Sequence, residues 1–321
     1  MGAAHVAAIE SDRQAELGAV VTTNPKAREG DLSETGGNLE IGTRHFDFSN
    51  VSKYSTWQEL ISDKSISAVT ICLPTDLHCQ VTMAALAAGK HVLCEKPMAL
   101  TTGECDRMLE AAKKAGRTLM IGQVLRFWPD YVKLRDFANK GEYGTVRQAT
   151  FTRKCGIPDW SKWLPDESRS GGAVMDLLIH DIDQILGLFG VPARVTAKRL
   201  GSTDSIMASF IYTKGPEVRL QGGWFEAGMP FSMGFQVRAD RGEIELSADG
   251  LHISDMNGIK QKVELPATNA HTEEMRYFID CCHQGVSPAD CPPEASAAAV
   301  RVALALRESR AKDGEQITCL A

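Results

Sequence analysis

Ala68-Val-Thr-Ile-Cys-Leu-Pro-Thr-Asp-Leu-His78, continued through a small-residue stretch to Gly89 and then Lys90-His-Val-Leu-Cys-Glu-Lys-Pro97, is the part of this 321-residue chain whose reading decides its fold. The runs 68–73 and 90–97 have the length and β-branched content of buried strands. Between them, Asp76 to Ala88 places Val81, Ala84, Ala85 and Ala88 at helical spacing, and Gly89 supplies the stop. Strand, helix, strand at this spacing is a βαβ unit, and parallel sheets bind ligands outside the carboxyl ends of their strands. Pro74-Thr75 and Glu95-Lys96-Pro97 sit at those ends, with Pro97 biasing Lys96 towards an extended backbone. On position alone, the preferred reading of Glu95 and Lys96 is as ordinary polar residues closing a strand.

Composition narrows the partners. A formal charge of −6 without any block of Lys or Arg argues against nucleic acid and anionic membrane. No apolar run approaches the roughly 18 residues of a membrane span, and Glu10-Ser-Asp-Arg13 interrupts any signal-like apolar segment. Nine cysteines without C-x-x-C spacing support neither a disulfide framework nor a zinc ribbon, and fit a reducing cytoplasm. Cys281-Cys282-His283 looks metal-like, but the cysteines lie on the apolar face of a helical pattern, so packing is preferred and no metal is expected.

Upstream, Met1 to Ile9 reads as helix and Glu16 to Val21 as a strand ending in Thr22-Thr23-Asn24-Pro25. This is the second half of a dinucleotide-binding βαβ unit, with Gly2 as candidate for the third glycine of G-x-G-x-x-G and Thr22 and Thr23 as candidates for the adenosine ribose contact. Asp31 to Gly42 reads as a loop, Thr56 to Ile61 as a short helix, Thr101 to Ala115 as an amphipathic helix stopped by Gly116, and Arg117 to Gly122 as a further strand. Strands alternating with helices give an α/β, Rossmann-type doubly wound parallel sheet over 1–122. Beyond it, Asp130–Asn139 reads as helix and Thr145–Thr152 as strand. Short alternating runs at 206–213, 218–225, 231–239, 243–247 and 261–265 predict a large, mostly antiparallel open sheet. Helices at 272–282 and 293–311 complete an α+β domain over 123–321, the last helix being a candidate to pack back on the first domain.

Ser170-Gly-Gly-Ala-Val-Met-Asp-Leu-Leu-Ile-His-Asp-Ile-Asp183 carries the second chemical signal and predicts one helix of about five turns to Leu188. Asp176 and His180, four apart, share a face, with Asp183 a turn further on. A carboxylate one turn from an imidazole orients it and raises its proton affinity, as a general base requires. The competing reading is a surface ion pair. Met175, Leu178, Ile179, Ile182 and Leu186 leave little of the helix polar, which points the Asp/His row at a polar cavity. A metallohydrolase using His180, Asp181 and Asp183 fits poorly, because Asp181 projects about 100° round a helix from His180.

Pro74-Thr-Asp-Leu-His78, Ala88 to Pro97, Gly122-Gln-Val-Leu-Arg-Phe127 with Pro129, Gly171-Gly172 to Asp183 and the region from Phe278 to Ser309 together resemble the glucose-fructose oxidoreductase and inositol dehydrogenase family, often called GFO/IDH/MocA. The resemblance implies a two-domain NAD(P)-dependent oxidoreductase acting on a sugar, an inositol-like polyol or a related alcohol. In that reading Lys96 polarises the reacting oxygen, His180 is the acid/base, and Asp176 positions substrate and imidazole. Pro74, Thr75 and His78 lie along the cofactor, Glu95 and Lys96 near its ribose and nicotinamide, and Gln123 and Arg126 approach nicotinamide and substrate. Trp160 and Trp163 fall where family members place a loop over the active site. Family members commonly form dimers or tetramers through the open sheet face, and Val218 to Phe225 is expected to leave an apolar face for this.

The departure from the pattern is at the N-terminus, where the first strand and the start of the glycine-rich loop are expected to be lacking. Two explanations compete: a start codon upstream of Met1, which is favoured because the downstream positions are intact, or a cofactor-poor relative acting as a sugar-binding or interaction protein.

Overall fold

The computed structural model describes residues 1–34, 36 and 44–319. Two compact units alternate along the sequence: Met1–Val124 with Thr268–Glu294, and Leu125–Ala267 with Ala295–Ala321. The expected division at 122/123 does not contain the return of 268–294 to the first unit. The expected loop 31–42 falls largely outside the described residues.

The first unit runs α1 (Gly2–Ser11), β1 (Ala19–Val21), α2 (Pro25–Arg28), β2 (Ser52–Tyr54), α3 (Trp57–Ser62), β3 (Ala68–Ile71), α4 (His78–Ala87), β4 (His91–Glu95), α5 (Thr102–Ala115) and β5 (Leu119–Gly122). Reciprocal capping boxes start α3 (Thr56, Glu59) and α5 (Thr101, Glu104), and Gly116, at φ 59°, ends α5 in the left-handed conformation. All strand pairs are parallel, in two pieces: β1 with β2, and β3-β4-β5 in that order. β1 and β3 are thus both edge strands. Val92, Leu93, Cys94, Met120 and Ile121 are completely buried, as strands covered on both faces must be. The helix Ala270–Gln284 packs against α1, and the Gln14 amide donates to Asp280 Oδ1 at 2.9 Å.

The second unit is built on a nine-stranded sheet of β6 (Val146–Gly156), β7 (Arg194–Arg199), β8 (Ser205–Ile211), β9 (Glu217–Phe225), β10 (Ser232–Ala239), β11 (Gly242–Ser247), β12 (Gly250–Asp255), β13 (Lys260–Lys262) and β14 (Ile317–Thr318). The order is β13-β12-β11-β10-β6-β9-β8-β7-β14, antiparallel except for β6 beside β9. Gly222 and Gly223 of β9 allow close approach: a Cβ on Gly222 would fall 1.9 Å from Arg153 O. Helices α6 (Pro129–Asn139), α7 (Glu167–Ser170), α8 (Gly172–Asp176) and α9 (Ile179–Phe189) belong to the same unit.

One expectation is corrected here. The apolar residues of β9, Val218, Leu220 and Trp224, are buried within the chain, because α8 packs on their side of the sheet; Glu217, Arg219 and Gln221 take the other side. No apolar face of this strand is left open. The helix Pro293–Ala311 lies, from Ala295, with the second unit: Ser309 Oγ accepts the Ala197 N–H at 2.8 Å, and Arg307 pairs with Glu167 at 2.7 Å.

A buried ion pair joins α9 to the sheet. Arg153 of β6 donates through Nε to Asp181 Oδ2 at 2.6 Å and through Nη2 to Asp181 Oδ1 and the Tyr131 hydroxyl, both at 3.2 Å. Both charged residues are almost wholly buried, so either one alone is an uncompensated interior charge. Asp181→Ala is expected to cost about 3–5 kcal/mol, read as a lower urea midpoint, and Arg153→Met with Asp181→Leu to recover most of it; an unchanged midpoint in the single variant would contradict the assignment.

Candidate active site

At the carboxyl end of the β3-β4-β5 sheet, Ile71 pairs with Cys94 and Glu95 with Gly122. Glu95 is buried: Oε1 accepts from His5 Nε2 at 2.9 Å and Oε2 from the Lys96 N–H at 3.2 Å. A Cβ on Gly122 would come 3.2 Å from Oε1, so the glycine leaves room for this carboxylate. Burial pushes the Glu95 carboxyl up, but His5 and Lys96 outweigh it and hold the group well below the usual range, at about 2. For His5, burial opposes the charged ring, and Cys72 and Glu95 together overcome it, raising its proton affinity. Lys96 itself is the one residue of 92–99 that is not buried. The strand end is thus anchored inside, with Lys96 half-buried among buried neighbours.

His78 is buried, with Nδ1 2.8 Å from Pro97 O and Nε2 2.9 Å from Leu73 O. Burial lowers its proton affinity, against the pull of the two carbonyls, and its role in this structure is to tie the loop after β3 to the loop after β4. Thr75 and Gln123 are also buried, and the Thr75 hydroxyl and both amide atoms of Gln123 have no hydrogen-bond partner among the described residues. Thr22 Oγ1 accepts the Asn24 N–H at 3.2 Å and the Thr22 carbonyl accepts from Arg28 Nη2 at 2.9 Å, while Thr23 is exposed. A Cβ on Gly2 would meet no atom within 4 Å, so the close packing expected of that glycine is not made here.

In the second unit the expected single helix is two, α8 and α9, separated by Leu177-Leu178. There the Ala173 carbonyl accepts from both Leu177 N–H at 2.9 Å and Leu178 N–H at 3.0 Å, the latter reaching five residues back. The start of α8 is fixed by Asp204, whose Oδ2 accepts the Ala173 N–H at 2.7 Å; Gly172, at φ 74°, is required because a Cβ would lie 2.7 Å from that oxygen. Of residues 171–186, only Asp176 and His180 are not buried. Asp183 does not join them: it is buried and clasped by Arg126, Nε to Oδ2 at 2.8 Å and Nη2 to Oδ1 at 2.7 Å. Arg126, expected to approach substrate, is held by this bidentate pair. Trp163 packs half-buried on Cys155, Leu164, Ala173, Leu177 and Trp224, and Trp160 is exposed.

Residues 1–123 match the family model described as "Oxidoreductase family, NAD-binding Rossmann fold", and residues 131–245 match "GFO/IDH/MocA C-terminal domain". The chain belongs to the GFO/IDH/MocA family. It is 33% identical to the D-glucoside 3-dehydrogenase of Escherichia coli over 148 residues, 46% of this chain and 42% of that protein. Against the myo-inositol 2-dehydrogenase of Thermotoga maritima it is 34% identical over 137 residues, 43% of this chain and 40% of that one. The matched stretch thus spans about two fifths of these curated relatives. A solved levoglucosan dehydrogenase, in complex with NADH and levoglucosan, shares the fold with a TM-score of 0.82 at 19% identity, covering 99% of this chain and 95% of that one.

Two groups in this GFO/IDH/MocA chain escaped the reading of its sequence. His5 reads as part of an Ala-rich helix, and its partner Glu95 is 90 positions away. Glu274, on Ala270–Gln284, is 1% exposed and its Oε1 has no partner; a charged residue on an amphipathic helix is ordinarily assigned to solvent. Burial, then the negative charge of Glu95, holds the Glu274 carboxyl well above its ordinary 4.5. Above pH 4.5 the folded state therefore keeps a proton that the unfolded state has lost, and stability falls as pH rises. Glu274→Gln is expected to match the wild-type melting temperature near pH 4 and to exceed it by a margin that grows towards pH 9. A constant offset at every pH would contradict this.

Proposed function

We propose that this chain is an NAD(P)-dependent dehydrogenase that moves a hydride between the nicotinamide and a CH–OH carbon of a sugar or inositol-like polyol. The observation that carries the proposal is that a segment otherwise wholly buried opens at Asp176 and His180 alone. A half-buried imidazole set in an apolar helix pair, with a carboxylate four residues before it, has the equipment of a general base. Lys96 is a cation held on a strand end whose other side chains are interior, suited to polarise a substrate oxygen.

The residues after β3 and β5 fit a dinucleotide. Thr75 Oγ1 and the Gln123 amide are buried polar atoms without partners among the described residues, and such groups ordinarily have one. These residues, with Pro74 and Lys96, would hold the cofactor, and Glu95 would act by fixing the Lys96 backbone. The cofactor supplies the hydride acceptor. Arg28, anchored on the Thr22 carbonyl with its Nε unpartnered, places a cation after β1 and favours NADP; comparing the KM values for NAD and NADP in one assay decides this. In the oxidation direction His180 takes the hydroxyl proton, Lys96 stabilises the developing alkoxide, and Asp176 supports the imidazolium. Soluble homo-oligomers in the cytoplasm complete the reading, on family resemblance.

His180→Ala is expected to lower turnover on the best polyol by about a hundredfold to ten-thousandfold with near-normal cofactor affinity. Lys96→Ala should lose both rate and some cofactor affinity, and Asp176→Asn should depress turnover while the fold is kept. NADPH or NADH absorbance across a panel of sugars and inositols reads all three. Wild-type turnover in His180→Ala would overturn the assignment.

A further inference from the structure

His5 is held between two groups of opposite chemistry. Its Nε2 lies 2.9 Å from Glu95 Oε1, and its Nδ1 lies 3.5 Å from Cys72 Sγ. A carboxylate accepts hydrogen bonds and does not donate them, so Nε2 carries hydrogen. In the neutral ring Nδ1 is then the lone pair, and it faces the sulfur. Glu95 has no freedom to release His5: it is buried, and its second oxygen accepts the Lys96 N–H. This is a thiol, a base and an orienting carboxylate in the order that activates a nucleophile. Cys72 is the one member that reaches solvent, since it is half-buried while His5 and Glu95 are interior.

The cluster has further members. Glu274, with Oε1 unpartnered, is within electrostatic reach of His5, Glu95 and Cys72, and His271 of the same helix is within reach of His5 and Glu95. The other cysteines lack such a setting. Cys79, Cys94, Cys105, Cys155, Cys281 and Cys291 are buried. Cys282 and Cys319 are half-buried like Cys72, but burial pushes their thiols up, to about 12 and about 11.

We propose that Cys72 is a peroxide-reactive thiol, activated by His5 and oriented through Glu95. His5 Nδ1 takes the thiol proton. The sulfur attacks one oxygen of hydrogen peroxide, the S–O bond forms as the O–O bond breaks, and the leaving hydroxide takes the proton back from His5 as water. Sulfur loses two electrons to become sulfenic acid, peroxide is reduced to water, and His5 returns neutral. The proposal stands independently of the dehydrogenase reading, because it uses neither the cofactor nor the substrate.

The test is site-resolved. The whole protein is treated with hydrogen peroxide at pH 7 in the presence of dimedone, and labelling of each cysteine is followed by mass spectrometry. With a base 3.5 Å from its sulfur, Cys72 is predicted to label at least about tenfold faster than Cys282 or Cys319, whose thiols burial keeps protonated at pH 7. His5→Gln, checked for folding by its melting temperature, should remove that advantage. Equal labelling of the three half-buried thiols in the unaltered protein would overturn the proposal without recourse to a variant. So would a folded His5→Gln protein whose Cys72 labels at the wild-type rate.

Discussion

The buried carboxylate of Glu95 is the constraint on which the first unit's chemistry depends. A charge inside a protein must find partners, and this one finds an imidazole from α1 and the backbone N–H of its own neighbour, in a space that Gly122 leaves open. One group thereby joins α1 to β4, fixes the peptide that leads to Lys96, and sets the hydrogen positions on His5. His78 performs the parallel task one layer away, bridging the loops after β3 and β4 through Leu73 and Pro97. Buried polar contacts pre-organise the strand end that carries the lysine.

The second unit applies the same principle with arginines. Arg153 and Arg126 each clasp one of the aspartates that flank Ile182, so Asp181 and Asp183 are consumed in holding α9, and Asp176 and His180 are left accessible. Of the four ionisable residues at 176, 180, 181 and 183, the two aspartates at 181 and 183 are buried anchors and Asp176 and His180 are half-buried. The division explains why a metal-ligand reading of 180–183 fails: two of its three groups already have guanidinium partners.

Much of this was legible in the sequence because it is periodic or punctuated. The βαβ unit at 68–97, the Thr-x-x-Glu helix starts and the alternation of β9 follow from local rules, and the helix Pro293–Ala311 begins and ends where its pattern does. What escaped depends on distant pairing. Nothing in Asp183 distinguishes it from Asp176 until Arg126 is brought to it, and nothing in the apolar periodicity of 170–188 marks the extra winding at Leu178. An alternating strand shows that it has an inner face, but not that the chain's own helices will cover it, so β9 was assigned an open apolar side that α8 occupies.

The activity proposed for this GFO/IDH/MocA chain is hydride transfer from a carbinol carbon to a nicotinamide. The most direct measurement follows the isotope. The polyol that supports turnover is supplied with deuterium on its reacting carbon, and the reduced cofactor is isolated and weighed by mass spectrometry. The account predicts one deuterium on the nicotinamide ring, with turnover unaffected by a metal chelator. Reduced cofactor carrying no deuterium, or product formed without cofactor reduction, would contradict it.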